Sequence, residues 1–271
     1  MTEGELWTEG LLAELRAARY TPPAWMRFLG RTFARASEIR AERRREHRQT
    51  LALGAAGVVA WGFVAVAGWP WIALAGALWW LLVAAMVDWH LGMLEDASGH
   101  RLHGLGIANT LSILRAGLAP ALLVASPAVL AALLVPAGIT DVVDGPVARA
   151  RGEETRLGHR LDGAVDGLIL CAAAIGAARA GVLPWWAAAL VLGRHALQWL
   201  VLAAAYFAHA KAPPRERFVS GKQPGLALFA GLVLAGLAVP GAVLLVAAGA
   251  LGGLATFGLT IARSRPAAAA R

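Results

Sequence analysis

After a polar first fifty residues, the chain becomes a succession of long apolar stretches separated by short connections. Leu51 to Gly68 and Trp71 to Val87 come first and meet at Trp69-Pro70, a tight turn. At 1.5 Å of rise per residue, each is about long enough to cross a hydrocarbon core ~30 Å thick. This predicts a transmembrane hairpin over 51–88. Asp88 to Ile107 interrupts the apolar pattern with acids, histidines and Arg101, which suggests a short amphipathic helix along the membrane surface over 89–106. Six further apolar segments follow, near Leu111–Ala125, Pro127–Arg149, Leu161–Ala180, Pro184–Ala208, Gly225–Val239 and Gly241–Ala262. Pro127, Pro184 and Pro240 sit at the expected helix starts, where proline is tolerated. The pattern as a whole predicts an all-α integral membrane protein with eight spanning helices. A basic N-terminal segment, 1–50, precedes the hairpin. The main membrane domain covers 107–262, and 263–271 forms a tail.

Composition agrees with a membrane solvent. Apolar residues make up 58% of the 271 and charged ones only 15%, less charge than a soluble domain of this size carries. The formal net charge is +8, but its arginines lie between apolar runs. That placement points to anionic lipid headgroups and topology, and no nucleic-acid partner is expected. The basic run Arg40–Arg48, "RAERRREHR", reads equally as a solvated helix face or a membrane-surface element. Connections near Trp69, Ser126, Gly181 and Val239 are almost uncharged. Those at Arg40–Arg48, Arg101, Arg149–Arg160 and Lys211–Lys222 are basic. The alternation puts both termini in the cytoplasm, with Arg179 the one exception. Cys171 is the single cysteine and reads as a packing residue, and the polar start predicts no cleavable signal peptide. His90, His100 and His103 have no spacing typical of metal ligands.

The chemistry concentrates in Thr140–Asp166, "TDVVDGPVARARGEETRLGHRLDGAVD". It holds Asp141, Asp144, Asp162 and Asp166, all in or beside predicted spanning helices, where a carboxylate is expensive and usually functional. Asp141 and Asp144 are three apart and Asp162 and Asp166 four apart, so each pair shares a helix face. A short basic turn lets the two pairs meet near the cytoplasmic boundary. Four carboxylates facing one space need cations, and hard oxygen ligands suit magnesium, manganese or calcium. Two divalent ions would suit an in-line phosphoryl displacement. Gly145 and Ala148 leave room for a ligand on the same helix. Arg149 ends that face and can fork onto phosphate oxygens. Upstream, Asn109 and Thr110 stand where they could cap a helix. Arg115 could bind phosphate or anchor at the interface, and Arg194, deep in a predicted spanning helix, should find a carboxylate or a ligand phosphate. His195, next to Arg194, reads as a packing or hydrogen-bonded residue.

The segment resembles the CDP-alcohol phosphatidyltransferase family, whose signature is D-x-x-D-G-x-x-A-R, eight residues, then G-x-x-x-D-x-x-x-D. Asp141, Asp144, Gly145, Ala148, Arg149, Gly158, Asp162 and Asp166 match every fixed position. Asn109 to Arg115, "NTLSILR", is similar to the entry of the family's first core helix, and Lys222 occupies its basic loop in the shorter form "SGKQPG", so the resemblance makes Arg115, Arg194 and Lys222 candidates for acceptor or phosphate contacts. The resemblance spans about Ile107 to Ala262. It implies a six-helix core after the extra hairpin, a homodimer in the cytoplasmic membrane, and an active site facing the cytoplasm. It also implies transfer of a phosphatidyl group from CDP-diacylglycerol to a hydroxyl acceptor with release of CMP, in phospholipid synthesis. Asp141, Asp144 and Asp162 would hold two magnesium or manganese ions, with Asp166 sharing one and taking the acceptor's proton. Gly145, Ala148, Arg149, Asn109 and Thr110 would contact the nucleotide donor. The sequence leaves other activities open: a soluble CDP-alcohol donor with a lipid acceptor, a catalytically silent scaffold, or a cation transporter.

Overall fold

The computed structural model describes residues 2–209 and 222–264. Among these residues regular structure is helical, apart from one isolated bridge between Glu95 and Arg101. In chain order the helices are α1 (Glu3–Ala17), α2 (Pro22–Glu42), α3 (Arg44–Val66), α4 (Pro70–Trp89), α5 (Ile107–Gly117) and α6 (Ala119–Val124). They continue as α7 (Pro127–Arg151), α8 (Arg156–Arg179), α9 (Trp185–His209), α10 (Lys222–Gly236) and α11 (Ala242–Ser264). Seven helical runs are long and apolar enough to cross a membrane: α3, α4, the run Ile107–Val124 that joins α5 and α6, α7, α8, α9 and α11. The protein is therefore an integral membrane protein. α10 falls outside that set among the described residues. Its 15 residues extend only about 22 Å, short of the ~30 Å hydrocarbon core.

The helices group into two compact units. One takes in the described residues up to Ala121 together with Pro136–Ile169, and the other Leu122–Val135 with the described residues from Leu170 onward. α6, α7 and α8 each contribute to both.

In the first unit the hairpin packs by tryptophans seated on glycines. Trp80 on α4 lies where a Cβ at Gly57 on α3 or at Gly117 on α5 would overlap its ring. Trp61 on α3 fills the space over Gly76 on α4 in the same way. The bare glycine backbone admits an indole without a gap, and both rings are buried. A buried indole N–H favours a hydrogen-bond partner, and the two neighbouring tryptophans of α4 have one. Trp80 Nε1 donates to the Leu53 carbonyl at 2.8 Å, and Trp79 Nε1 to the Ala116 carbonyl at 2.8 Å. Trp69 and Trp71 at the hairpin turn are exposed, as interfacial aromatics are.

The segment between α4 and α5 is a folded loop with a single 3-10 turn, Leu91–Met93, and not the amphipathic helix that its composition suggests. Gly99, Gly104 and Gly106 take positive φ, which ends helix propagation. Asp96 Oδ1 accepts from the Ser98 and His100 backbone N–H groups, at 2.8 and 2.9 Å, a local bond that competes with helix. Leu91, Leu94 and Leu105 are buried beneath it. The basic run is broken at Arg43 and is partly internal. Arg43 is buried and donates to the Leu94 carbonyl at 3.1 Å, and Glu46 accepts from the Gly104 N–H at 2.7 Å. Arg40 and His47 hold the two oxygens of Asp88, at 2.5 and 2.6 Å. Arg44, Arg45 and Arg48 stay exposed. So about half of this run staples α2, α3 and the loop together.

In the second unit, small residues bring backbones close, as membrane helix packing requires. A Cβ at Gly231 would meet the Val246 backbone N at 2.7 Å, and one at Gly249 the Leu228 N at 2.5 Å. Arg179 donates to the Leu123 and Val124 carbonyls, at 2.9 and 2.5 Å, closing the end of α6. A cation satisfying a helix C-terminus accounts for the one arginine that breaks the loop-charge pattern.

Gly57→Val is expected to expel Trp80 from its seat and destabilise the protein by about 1–3 kcal/mol. Thermal unfolding in detergent reads this. An unchanged midpoint would show that Trp80 does not depend on the glycine.

Candidate functional site

The signature folds as α7, a four-residue turn and α8. Gly152 ends α7 with φ +63°, a conformation that glycine adopts without steric cost. The Gly152 and Glu153 N–H groups return to the Arg149 and Ala148 carbonyls, at 3.2 and 2.8 Å. Thr155 then starts α8, its hydroxyl accepting from the Gly158 N–H at 2.9 Å. Gly158 has a second role. A Cβ there would strike the Asn109 side-chain oxygen, so the glycine lets α5 and α8 approach. Asn109 is buried, and its amide donates to the Leu105 carbonyl at 2.7 Å and to Thr155 Oγ1 at 3.1 Å. Thr110 Oγ1 donates to the Gly106 carbonyl at 2.8 Å. Neither caps α5, whose N-cap is Gly106 and has no side-chain bond.

The four aspartates meet around Arg115. Nη1 of this guanidinium donates to Asp141 and, at 3.1 Å, to Asp166. Nη2 donates to Asp144 at 2.7 Å, Asp162 at 2.8 Å and Ser112 Oγ at 3.2 Å. The Arg115 side chain is 5% exposed and Asp144 8%, whereas Asp141, Asp162 and Asp166 are 39–46% exposed. The cluster is thus closed at the α5 side and open at the other. One oxygen each from Asp141, Asp144 and Asp162 lies within 4.8 Å of the others. Four carboxyl groups against one guanidinium leave an excess of acid over base. That excess, with all-oxygen donors on an open side, fits a hard divalent cation.

Sequence reasoning places the aspartates together but misses what sits between them. Arg115 reads there as a phosphate candidate, and Ser112 is not singled out. Their i, i+3 spacing on α5, in an otherwise apolar run, was the available signal. Arg149 is exposed and lies back along Gly145, its Nη1 3.5 Å from where a Cβ there would stand. Ala148 is buried beneath. Arg194 belongs to the second unit. It donates to the Gly249 carbonyl at 3.1 Å and lies against Gly253, so its described partner is a carbonyl, where composition suggests a carboxylate or a phosphate. His195 beside it is buried. Lys222 opens α10 and is exposed, while Lys211, Arg215 and Arg217 lie outside the described residues.

Comparison with known proteins agrees with this arrangement. The CDP-alcohol phosphatidyltransferase family profile matches residues 105–257. Over 98 residues the chain is 37% identical to a Mycobacterium tuberculosis protein named "Putative cardiolipin synthase", covering 34% of this chain and 47% of that one. The Mycobacterium bovis protein of the same name matches equally. A second Mycobacterium tuberculosis protein, "Probable phosphatidylglycerophosphate synthase", is 35% identical over 98 residues, covering 32% of this chain and 47% of that one. The chain spans about half the length of these curated relatives. No solved structure matches it significantly. The profile covers more than half of the chain, including all four aspartates and Arg115, and on that ground the chain belongs to the CDP-alcohol phosphatidyltransferase family.

Proposed function

We propose that this protein transfers a phosphatidyl group from CDP-diacylglycerol to a hydroxyl acceptor and releases CMP. The observation that carries the reading is the convergence of Asp141, Asp144, Asp162 and Asp166 on one open face, drawn together by Arg115. Asp141, Asp144 and Asp162, with Asp166 sharing, would hold two divalent cations, magnesium or manganese, whose positive charge stabilises the donor diphosphate and the departing CMP. Asp166, the last carboxylate on the open side, takes the proton of the acceptor hydroxyl. The acceptor oxygen then bonds to the phosphorus that carries diacylglycerol. The bond from that phosphorus to the bridging oxygen breaks, and its electron pair leaves with CMP. Arg149 binds phosphate oxygens of the donor, with Gly145 leaving room beside it. Asn109 serves the site by fixing the start of α8.

The names of the relatives favour an acceptor containing glycerol and phosphate: glycerol phosphate itself or phosphatidylglycerol. Arg194 and Lys222 are the further basic groups for such an acceptor. Alternating loop charge supports a cytoplasmic-membrane location with both termini and the site on the cytoplasmic side. In that arrangement the apolar segment Gly225–Val239 makes the eighth crossing, and the family's homodimeric state applies.

Asp166→Asn is expected to lower kcat by about 10²-fold or more while the protein still binds the CDP donor. A near-normal rate, followed by CMP release, would remove Asp166 as the base. Chelation with EDTA should abolish turnover and added magnesium restore it. Asp141→Asn and Asp144→Asn should each weaken metal binding measured by calorimetry, and unaltered affinity in both would end the site assignment. Arg149→Ala should raise the donor KM. An unmoved KM would assign the diphosphate to another cation. Labelled CDP-diacylglycerol offered with a panel of alcohols, and read by mass spectrometry, identifies the acceptor.

A further inference from the structure

α8 begins with charges of the wrong sign. Its first turn carries Arg156 and His159 and no acid, and Arg160 follows, although the N-terminus of a helix has a partial positive charge that favours anions. The acids come from elsewhere in the chain. Arg156 Nη2 bonds to Glu5 on α1, and Nη1 bonds to Thr2 Oγ1 at 2.9 Å and to Glu95 at 3.2 Å. Thr2 Oγ1 in turn donates to Glu95 at 2.9 Å, which closes a ring. The Arg156 backbone N–H also donates to the Glu95 carbonyl at 2.9 Å. Thr2 and Glu5 form the capping box of α1, with the Thr2 N–H donating to Glu5 at 3.0 Å, so the N-terminus of α1 is held in the same ring. Burial acts to raise the Glu5 carboxyl, but the Thr2 backbone bond and Arg156 together hold it below its ordinary range.

Asp162 and Asp166 stand six and ten residues beyond Arg156 on the same unbroken helix, about 9 and 15 Å along its axis. A displacement of the helix start therefore reaches both carboxylates. The other anchors at this end are Thr155 against Asn109, and Glu153, which accepts from the Ile107 N–H at 3.2 Å. Those lie within residues 105–257. Thr2, Glu5 and Glu95 lie outside that range.

We propose that the N-terminal helix is a clamp on the active-site helix. Thr2, Glu5 and Glu95 grip Arg156, and thereby position Asp162 and Asp166 to bind cations. Arg156 is a positioning residue, acting through α8 without touching substrate. The proposal rests on the reading of the aspartate cluster as a cation site.

The test is manganese binding to the full-length protein in detergent, followed by electron paramagnetic resonance, with any tag placed at the C-terminus. Two variants are compared with wild type: Glu5→Gln with Glu95→Gln, which keeps the shape of the ring, and Arg156→Met. Positioning predicts weaker manganese affinity in both, by about 5- to 20-fold, and a higher donor KM. Their effects should not add when combined, because they act through one ring. A through-space charge effect would instead tighten manganese binding in Arg156→Met, and a merely structural staple would lower the unfolding midpoint without moving the affinity. Either result overturns the clamp. Wild-type protein that binds no manganese overturns the cation site and the clamp together. Wild type that binds while both folded variants bind equally well overturns the clamp alone.

Discussion

Four carboxylates can share one space in this protein because the Arg115 guanidinium stands among them. Two carboxylate oxygens within 4.8 Å of each other repel by about 3 kcal/mol at an effective dielectric near 20. An arginine with both terminal nitrogens engaged offsets much of that. It also fixes direction. Arg115 approaches from α5 and closes the cluster on that side, so the carboxylates can turn only to the opposite, open side. The residual negative charge and the side on which it is offered both follow from this one residue.

The surrounding structure keeps that geometry in place. α5 can deliver Arg115 because Gly117, two residues on, admits the Trp80 indole. It can also lie close to α8, because Gly158 leaves space for Asn109. These glycines differ in purpose from Gly152, which is needed for its positive φ at the end of α7. Removing a side chain makes room for a neighbouring side chain in the first cases and allows a turn in the last. Membrane helices have no solvent-driven force between them beyond lipid exclusion, so close approach of this kind supplies much of their packing.

The N-terminal hundred residues are the part for which the family offers least guidance, and they show a consistent design. Several of their arginines and acids are paired with one another, with the loop that leads into α5, or with the start of α8. Asp88 is held by Arg40 and His47, Glu46 by the Gly104 N–H, and Glu5 and Glu95 by Arg156. Charge that looks like a solvated or lipid-facing surface in the sequence is therefore used in part as internal stapling. Arg44, Arg45 and Arg48 of the basic run stay exposed.

The sequence by itself determined the elements that depend on local pattern. Runs of apolar residues as long as a bilayer is thick mark the spanning helices, and spacings of three and four put Asp141 with Asp144 and Asp162 with Asp166. Both follow from the helical repeat alone. Only the tertiary structure decided which groups meet across helices. That Arg115 is the common partner of all four aspartates, that Asn109 braces α8, and that Arg194 is engaged by a carbonyl depend on how separate helices pack, which no spacing within one helix encodes. The loop after α4 shows the same limit. Its composition suits an amphipathic helix, yet glycines at positive φ and bonds to Arg43 and to Glu46 on α3 fold it otherwise. Local preference there yields to partners that lie far away in the chain.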